Sequence, residues 1–148
     1  MPRDIERAIK IASIAHAGQV DKNGQPYILH PLAVAMRFRF DKKRFIAAIL
    51  HDVIEDTHMD LNDLIEEGID EDIVEVVAFL TRDPLNESYV KFIDRLADSN
   101  NIDAIAVKIA DIEDNLSRMS SLDAETAKYL SARYNKALPR LKLLVGEI

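Results

Sequence analysis

The stretch ILHDVIEDT, residues 49–57, places four ionisable side chains inside an otherwise apolar segment. If the segment is helical, a rotation of about 100° per residue puts His51, Asp52, Glu55 and Asp56 on one arc, apart from the Ile, Leu and Val side chains. A solvated acidic face would account for the carboxylates but gives no reason for the adjacent His–Asp pair. On this stretch alone, a solvated face and a reactive face are equally good interpretations.

The rest of the chain predicts the fold class. Apolar residues recur at intervals of three and four, strict alternation is missing, and 4 Gly and 5 Pro leave few tight turns among 148 residues. This pattern indicates one all-α domain, a helical bundle over residues 1–148, without internal repeats.

Charge and composition exclude several classes of function. A formal net charge of −7 disfavours general affinity for nucleic acid or anionic membranes, although a few local cations or a metal can still bind phosphates. The chain has no cysteine for disulfides or thiolate ligands, and Asp4, Glu6 and Arg7 interrupt any signal-peptide core. No later segment is long enough to span a bilayer. We therefore expect a cytoplasmic protein, and its oligomeric state stays open.

Gly, Pro and capping residues predict where the helices begin and end. A first helix should stop at Gly18, and the loop over residues 18–31 should lead into a helix that opens at Pro31. A third helix should run from about Lys42 through His58. Asp60 and Asp70 are the predicted caps of two further helices, and a break is predicted at Pro84. A helix should cover about residues 102–119. A last helix should begin near Ser121, and Pro139 should bend or interrupt it.

A second segment, residues 104–116, places another carboxylate beside an apolar face. Its isoleucines form a helical stripe, and Asp111 lies on a neighbouring arc with Lys108 and Asn115. A carboxylate beside an apolar stripe is costly unless it pairs with a cation or a metal. An ion pair between Asp111 and Lys108 is the simpler interpretation, and a metal-ligand role is the alternative.

His30 lies between the loop and the predicted helix start, where its ring can point away from the local backbone. Taken alone, such a histidine is more often structural. Together with His51, Asp52 and Asp111 it forms a mixed set of nitrogen and oxygen ligands. That set suits a divalent ion such as Mn²⁺, Fe²⁺ or Zn²⁺, with open positions for water and substrate.

Three segments resemble the HD-domain metal-dependent phosphohydrolases, and within them the hydrolase domain of RelA/SpoT-type proteins and the small alarmone hydrolases. They are AHAGQVDKNGQPYILHPLAVA at 15–35, AAILHDVIEDT at 47–57 and VKIADIEDNL at 107–116. The resemblance implies an HD-type helical bundle that acts on a small-molecule nucleotide, with no synthetase domain. The implied reaction releases pyrophosphate from the 3′ position of guanosine tetra- or pentaphosphate (ppGpp or pppGpp) or of a related adenosine alarmone, as in the stringent response.

The same resemblance implies roles for individual residues. The implied ligands of one divalent ion, usually Mn²⁺ in this family, are His30, His51, Asp52 and Asp111. Glu55 and Asp56 would orient and deprotonate the attacking water. The implied substrate contacts are Lys22, Tyr27, Lys108 and Asn115, with the asparagine at the sugar and the lysines offsetting phosphate charge.

Several positions depart from the family pattern. Asp21 stands where the family commonly has an Arg that packs on the guanine base, and a carboxylate cannot stack in that way and repels phosphate. The family often has Arg, Leu and His at the positions of Ile112, Glu113 and Asp114. It frequently has Arg at the position of Ser117. These changes leave the metal chemistry intact, but the base could be adenine, or the substrate another phosphorylated nucleotide.

Two other functions remain open. One is an HD phosphohydrolase that acts on a nucleotide monophosphate or a cyclic phosphodiester. The other is a non-catalytic module that senses a nucleotide, against which the presence of both Glu55 and Asp56 argues. Among the remaining polar residues, we expect His16 to be structural and His58 to lie on the surface. We expect a solvated helix face to carry Arg82, Lys91 and Arg95. Arg133 and Tyr134 could close the nucleotide pocket.

Overall fold

The computed structural model describes residues 3–146, which form helices joined by short loops. The helices are α1 Asp4–Ala15, α2 Leu29–Met36, α3 Lys42–Leu50, α4 Val53–Asp56, α5 Leu61–Glu66, α6 Glu71–Leu80, α7 Tyr89–Asp98, α8 Ile102–Ser117 and α9 Ala124–Leu144, with a 3₁₀ turn at Met119–Ser121. Between residues 3 and 146 there is no β-strand, and extended pairing is limited to one bridge between Val20 and Pro26. The predicted all-α class is confirmed.

Helix α3 forms the centre of the core, since every residue from Phe45 to Leu50 is buried. Helices α1, α2, α6 and α8 all pack against it, which explains why its second half has no polar face. The helix begins where the Asp41 carboxylate accepts a hydrogen bond from the backbone N–H of Arg44 at 3.1 Å. His51 and Asp52 directly follow its C-terminal end.

The predicted single helix from Lys42 through His58 is wrong, because the chain breaks at the His–Asp pair. The Ala48 carbonyl accepts from the backbone N–H of His51 at 3.3 Å, three residues on, which tightens the last turn of α3. Asp52 then leaves helical geometry, with φ −103° and ψ 0°, before the single turn of α4. A helical wheel assumes regular hydrogen bonding throughout the segment, so it gives no sign of this break.

Several other boundaries differ from the prediction. Helix α2 begins at Leu29 and not at Pro31, because proline is tolerated within the first turn, where backbone N–H groups have no helical partner. Helix α9 begins at Ala124 and not near Ser121, because the carboxylate of Asp123 caps it by accepting from the Thr126 N–H.

Gly18, with φ +82°, follows the end of α1, and the carboxylates of Asp60 and Asp63 each accept from the other's backbone N–H in a capping box. Asp70 stands before α6 but makes no capping hydrogen bond. Helix α9 is not interrupted by Pro139, because that residue lies on an exposed face where water can satisfy the freed carbonyl.

The arrangement of the helices defines where chemistry can occur. Helices α2, α3 and α8 pack against one another, and the short α4 and the loop before α2 lie at their common end.

Within residues 3–146, no helix is both long enough and apolar enough to cross a membrane.

Candidate metal centre

Four side chains from three separate parts of the chain converge at this end of the bundle. His30 lies on α2, His51 and Asp52 lie between α3 and α4, and Asp111 lies on α8. Asp111 Oδ1 is 2.7 Å from His30 Nε2 and 3.3 Å from His51 Nε2. Asp52 Oδ2 is 3.0 Å from His51 Nε2 and 3.9 Å from His30 Nε2. One ligand atom each from His30, His51 and Asp111 lies within 4.8 Å of the other two, and Asp52 is not part of that group.

The environment of His51 tests whether these residues fit a cation. Its Nδ1 lies 2.5 Å from the Ala48 carbonyl oxygen, which can only accept, so Nδ1 carries a proton. Its Nε2 is buried, has no hydrogen-bond partner, and points at the carboxylates of Asp52 and Asp111. A buried imidazole lone pair beside two carboxylates is unfavourable unless a cation or a proton lies between them. The donor set therefore fits a divalent metal ion.

His30 is oriented by a residue that the sequence analysis treated only as a departure from the family. Asp114 is buried on α8, and its Oδ2 lies 2.6 Å from His30 Nδ1. This contact directs the other ring nitrogen, Nε2, toward Asp111 and Asp52. A carboxylate behind a metal-binding imidazole fixes its tautomer and raises its basicity. The i, i+3 spacing of Asp111 and Asp114 was the available signal for this role.

Charge pairing dominates the protonation of the cluster. Burial alone would lower the pKa of His30, but hydrogen bonds to Asp111 and Asp114 raise it to about 9. Burial would raise the pKa of Asp52, yet the charge of His51 lowers it to about 2. The pKa of Asp111 falls well below its usual range because burial is outweighed by Lys108 and the two histidines. Such a site without an ion holds protons where a divalent cation would otherwise supply positive charge.

Glu55 and Asp56 extend from α4 to the solvent side of this cluster. Burial and the neighbouring Asp52 and Glu55 charges raise the pKa of Asp56 to about 6. Glu55 accepts a hydrogen bond from the backbone N–H of Arg82 at 2.8 Å, and burial raises its pKa. Both carboxylates are therefore fixed close to the ligands and have a raised affinity for protons.

Tyr27 lies closer to the metal ligands than its predicted place on the substrate side suggests. Its hydroxyl donates to Asp52 in a very short hydrogen bond and is 3.3 Å from Asp56. Burial, followed by the charge of Asp52, raises the pKa of Tyr27 above its ordinary range, so the hydroxyl keeps its proton. His16 is buried beside this ring, with centroids 5.0 Å apart, and its Nδ1 contacts Gln19 at 2.9 Å, which agrees with a structural role.

The α8 residues combine the two alternatives that the sequence left open. Lys108 Nζ is 2.8 Å from Asp111 Oδ2, so the expected ion pair exists within the cluster itself. Asn115 Nδ2 is 3.4 Å from both Asp111 Oδ1 and the hydroxyl of Tyr134. An ion pair and a ligand role for Asp111 are therefore compatible, because the lysine contacts Oδ2 and the histidines face Oδ1.

A cavity of about 350 Å³ opens over the cluster. Of the residues proposed from sequence, those that line it are Lys22, Tyr27, His30, Asp52, Glu55, Asp56, Lys108, Asp111, Asn115, Arg133 and Tyr134. Arg82 also lines it, so its assignment to a solvated face was wrong, whereas Lys91 and His58 are exposed as expected. Arg95 instead pairs with Glu87 at 2.7 Å.

Asp21 has a structural role in the loop before α2. Its Oδ1 accepts hydrogen bonds from the backbone N–H groups of Asn23 at 2.8 Å and Gln25 at 2.9 Å. Its Oδ2 is 3.9 Å from Arg118, a pocket residue that the sequence analysis did not single out. Arg118 therefore offsets part of the negative charge that Asp21 brings to the pocket.

Comparison with known proteins agrees with this geometry. The family model of the HD domain matches residues 8–137. The chain therefore belongs to the HD domain family. Within that family it is similar to SpoT-type proteins: the bifunctional (p)ppGpp synthase/hydrolase SpoT of Escherichia coli (strain K12) is 34% identical over 131 residues, which cover 80% of this chain and 18% of the relative.

Two further proteins are similar to this chain. The guanosine-3′,5′-bis(diphosphate) 3′-pyrophosphohydrolase of Aquifex aeolicus (strain VF5) is 32% identical over 138 residues, 86% of this chain and 19% of the relative. A solved structure of a metazoan ortholog of SpoT that hydrolyzes ppGpp has the same fold, with a TM-score of 0.78 and 23% identity over 97% of this chain and 92% of that one. The chain spans less than a fifth of the length of these two bacterial relatives.

Proposed function

We propose that the chain is a metal-dependent phosphohydrolase that releases pyrophosphate from the 3′ position of guanosine tetra- or pentaphosphate, or of the corresponding adenosine alarmone. The observation that carries the proposal is the buried, unpartnered Nε2 of His51, which points at Asp52 and Asp111 beside His30 Nε2. The relatives named as 3′-pyrophosphohydrolases support the choice of substrate.

His30, His51, Asp52 and Asp111 would hold one divalent ion, for which we propose Mn²⁺. An ion bound there lowers the pKa of a coordinated water and polarises a phosphate oxygen. His51 presents Nε2 because Nδ1 donates to the Ala48 carbonyl, and His30 presents Nε2 because Nδ1 faces Asp114. The protein thus orients both rings so that Nε2 is the nitrogen that would face the ion.

Glu55 and Asp56 supply the proton acceptors. Asp56, whose pKa is about 6, is mostly ionised at neutral pH and can accept a proton from the attacking water. Glu55 is held by the backbone N–H of Arg82, which limits its motion and orients it toward the cavity. On the substrate side, Asn115 would contact the sugar, and Lys22 and Lys108 would offset phosphate charge.

Product analysis tests this proposal directly. Purified protein would be incubated with Mn²⁺ and either guanosine or adenosine nucleotides that carry a 3′-pyrophosphate, and the products separated by anion exchange. We expect release of pyrophosphate that EDTA abolishes, with the preferred base given by the relative rates. Failure to turn over either nucleotide, with the metal shown to be bound, would contradict the proposal. Turnover of a nucleotide monophosphate or cyclic phosphodiester would indicate another HD phosphohydrolase.

A further inference from the structure

A cluster of cations surrounds the ring of Tyr89 in the wall of the cavity. The guanidinium carbon of Arg133 is 4.3 Å from the ring centroid, that of Arg82 is 5.9 Å away, and Lys108 Nζ is 5.6 Å away. All four residues line the cavity that also contains the metal ligands. The cluster brings together side chains from α8, α9, the start of α7 and the loop after α6.

The charges of this cluster are unevenly compensated. Lys108 is paired with Asp111 at 2.8 Å. In the part of the chain that the structure describes, neither Arg82 nor Arg133 has a carboxylate within 4.0 Å of its guanidinium. Their side-chain hydrogen bonds go to neutral acceptors, the Glu87 backbone carbonyl at 3.3 Å and the Tyr129 hydroxyl at 3.5 Å.

Neighbouring arginines show that carboxylate pairing is available in this region. Arg95 on α7 pairs with Glu87, and Arg140 on α9 pairs with Asp94. Arg82 and Arg133 therefore present guanidinium groups without a salt-bridged carboxylate at the wall of the cavity. A planar guanidinium binds phosphate through two parallel hydrogen bonds, and stacking on a tyrosine ring holds it in a defined orientation.

We propose that Arg82 and Arg133 form a second phosphate subsite, which binds the 5′ phosphates of a nucleotide whose 3′ group reaches the metal ligands. The assignment of the 5′ end rests on the proposed function, whereas the anion-binding property does not. Lys108 connects the two subsites, since it contacts both Asp111 and the Tyr89 ring. The protein would thereby select nucleotides that carry phosphates on both sides of the ribose.

Binding of nucleoside 5′-diphosphates tests the subsite without any turnover. The Mn²⁺-loaded protein would be titrated in a calorimeter with guanosine and adenosine 5′-diphosphates and with the two parent nucleosides. We expect the diphosphates to bind more tightly than the nucleosides. Replacement of either arginine, R82Q or R133Q, should weaken diphosphate binding about tenfold, as for loss of a charge-assisted hydrogen bond, and leave nucleoside binding unchanged.

Two variants serve as matched controls. R140Q removes a positive charge from the same helix as Arg133 but outside the cavity, and it should bind diphosphates within about twofold of the wild type. K91Q removes an exposed positive charge from α7 outside the cavity, and it should also bind diphosphates within about twofold of the wild type. Thermal melting of each variant separates loss of binding from loss of folding.

The outcomes distinguish the subsite from the catalytic proposal. Equal affinity of the wild type for nucleosides and their 5′-diphosphates would overturn the subsite, and this comparison needs no variant. Normal diphosphate binding by folded R82Q and R133Q would also overturn it, because the phosphates would then bind elsewhere, for example at the metal. Arginine-dependent binding without hydrolysis of any 3′-pyrophosphate nucleotide would support the subsite and contradict the proposed reaction.

Discussion

Replacement of Asp114 by Asn should weaken metal binding although Asp114 is not itself one of the proposed ligands. Asp114 Oδ2 lies 2.6 Å from His30 Nδ1 and 2.7 Å from Arg118 Nε, so one oxygen accepts both hydrogen bonds. Asparagine can present an oxygen at the same place, and the substitution therefore removes the charge while retaining the acceptor. The ring of His30 should stay in position but become a weaker electron donor through Nε2.

The size of this effect follows from the difference between charged and neutral hydrogen bonds. A charge-assisted bond contributes about 1.5–3 kcal/mol and a neutral one about 0.5–1.5 kcal/mol, so the change costs about 1–1.5 kcal/mol. That loss corresponds to about a tenfold weaker affinity for Mn²⁺. Asp114→Ala also removes the acceptor, and its loss should approach the upper end of the ten- to hundredfold range for such partners, about a hundredfold.

The assay is titration of the metal-free protein with Mn²⁺ in competition with a chelator of known affinity. Glu113→Gln provides the control, because Glu113 is the adjacent carboxylate on α8 but pairs with Arg37 at 2.6 Å and Lys142 at 3.0 Å, away from the cluster. We expect the control to bind Mn²⁺ within about twofold of the wild type. Unchanged affinity in Asp114→Asn, or an equal loss in Glu113→Gln, would refute the assigned role of Asp114.

Three further predictions address the ligands, the ion and the proton acceptor. Asp111→Ala should lose bound metal and activity together, whereas Glu55→Gln should keep the metal while activity falls at least about tenfold; equal metal loss in both would contradict the division of roles. Mn²⁺ at about 100 times its dissociation constant should stabilise the protein by about 2.7 kcal/mol and raise Tm by about 5–10 °C in calorimetry, reversibly with EDTA, and an unchanged Tm would argue against the site. Because Asp56 has a pKa of about 6 and acts in its ionised form, kcat/KM should fall as the pH drops below about 6. The variant Asp56→Asn should lose this decrease in kcat/KM at acidic pH. A pH profile that keeps the decrease in that variant would assign the proton to another group.

The sequence predicted the metal cluster better than it predicted the local geometry that builds it. The residues alone led to the proposal that His30, His51, Asp52 and Asp111 meet. The structure brings one ligand atom each of His30, His51 and Asp111 within 4.8 Å, and Asp52 Oδ2 lies 3.0 Å from His51 Nε2. The continuous helix through His58 was wrong because a helical wheel assumes regular hydrogen bonding. The Ala48 carbonyl instead contacts both the backbone and the ring of His51.

Long-range partners explain the residues that sequence reasoning missed. Asp114 contacts a histidine on α2, far away in the chain. Its three-residue spacing from Asp111 places the two carboxylates on one face of α8 but does not identify the histidine as the partner. Arg82 lies in the loop after α6, where the carboxylate of Glu55 fixes its backbone, and loop conformations have no periodicity from which to predict a direction. Arg118 continues the α8 face of Asp111 and Asp114 at a four-residue interval, and that spacing was the one available signal.

The complete burial of the second half of α3 has a consequence for how this protein can evolve. Two proposed ligands follow directly from that helix, so changes that would move them also disturb tightly packed side chains. The walls of the cavity come in part from the loop before α2 and the loop after α6, together with residues of α8 and α9. Surface loops tolerate substitution and insertion far better than a packed core. Changes in these two loops can therefore reshape the cavity while the proposed ligands keep their positions.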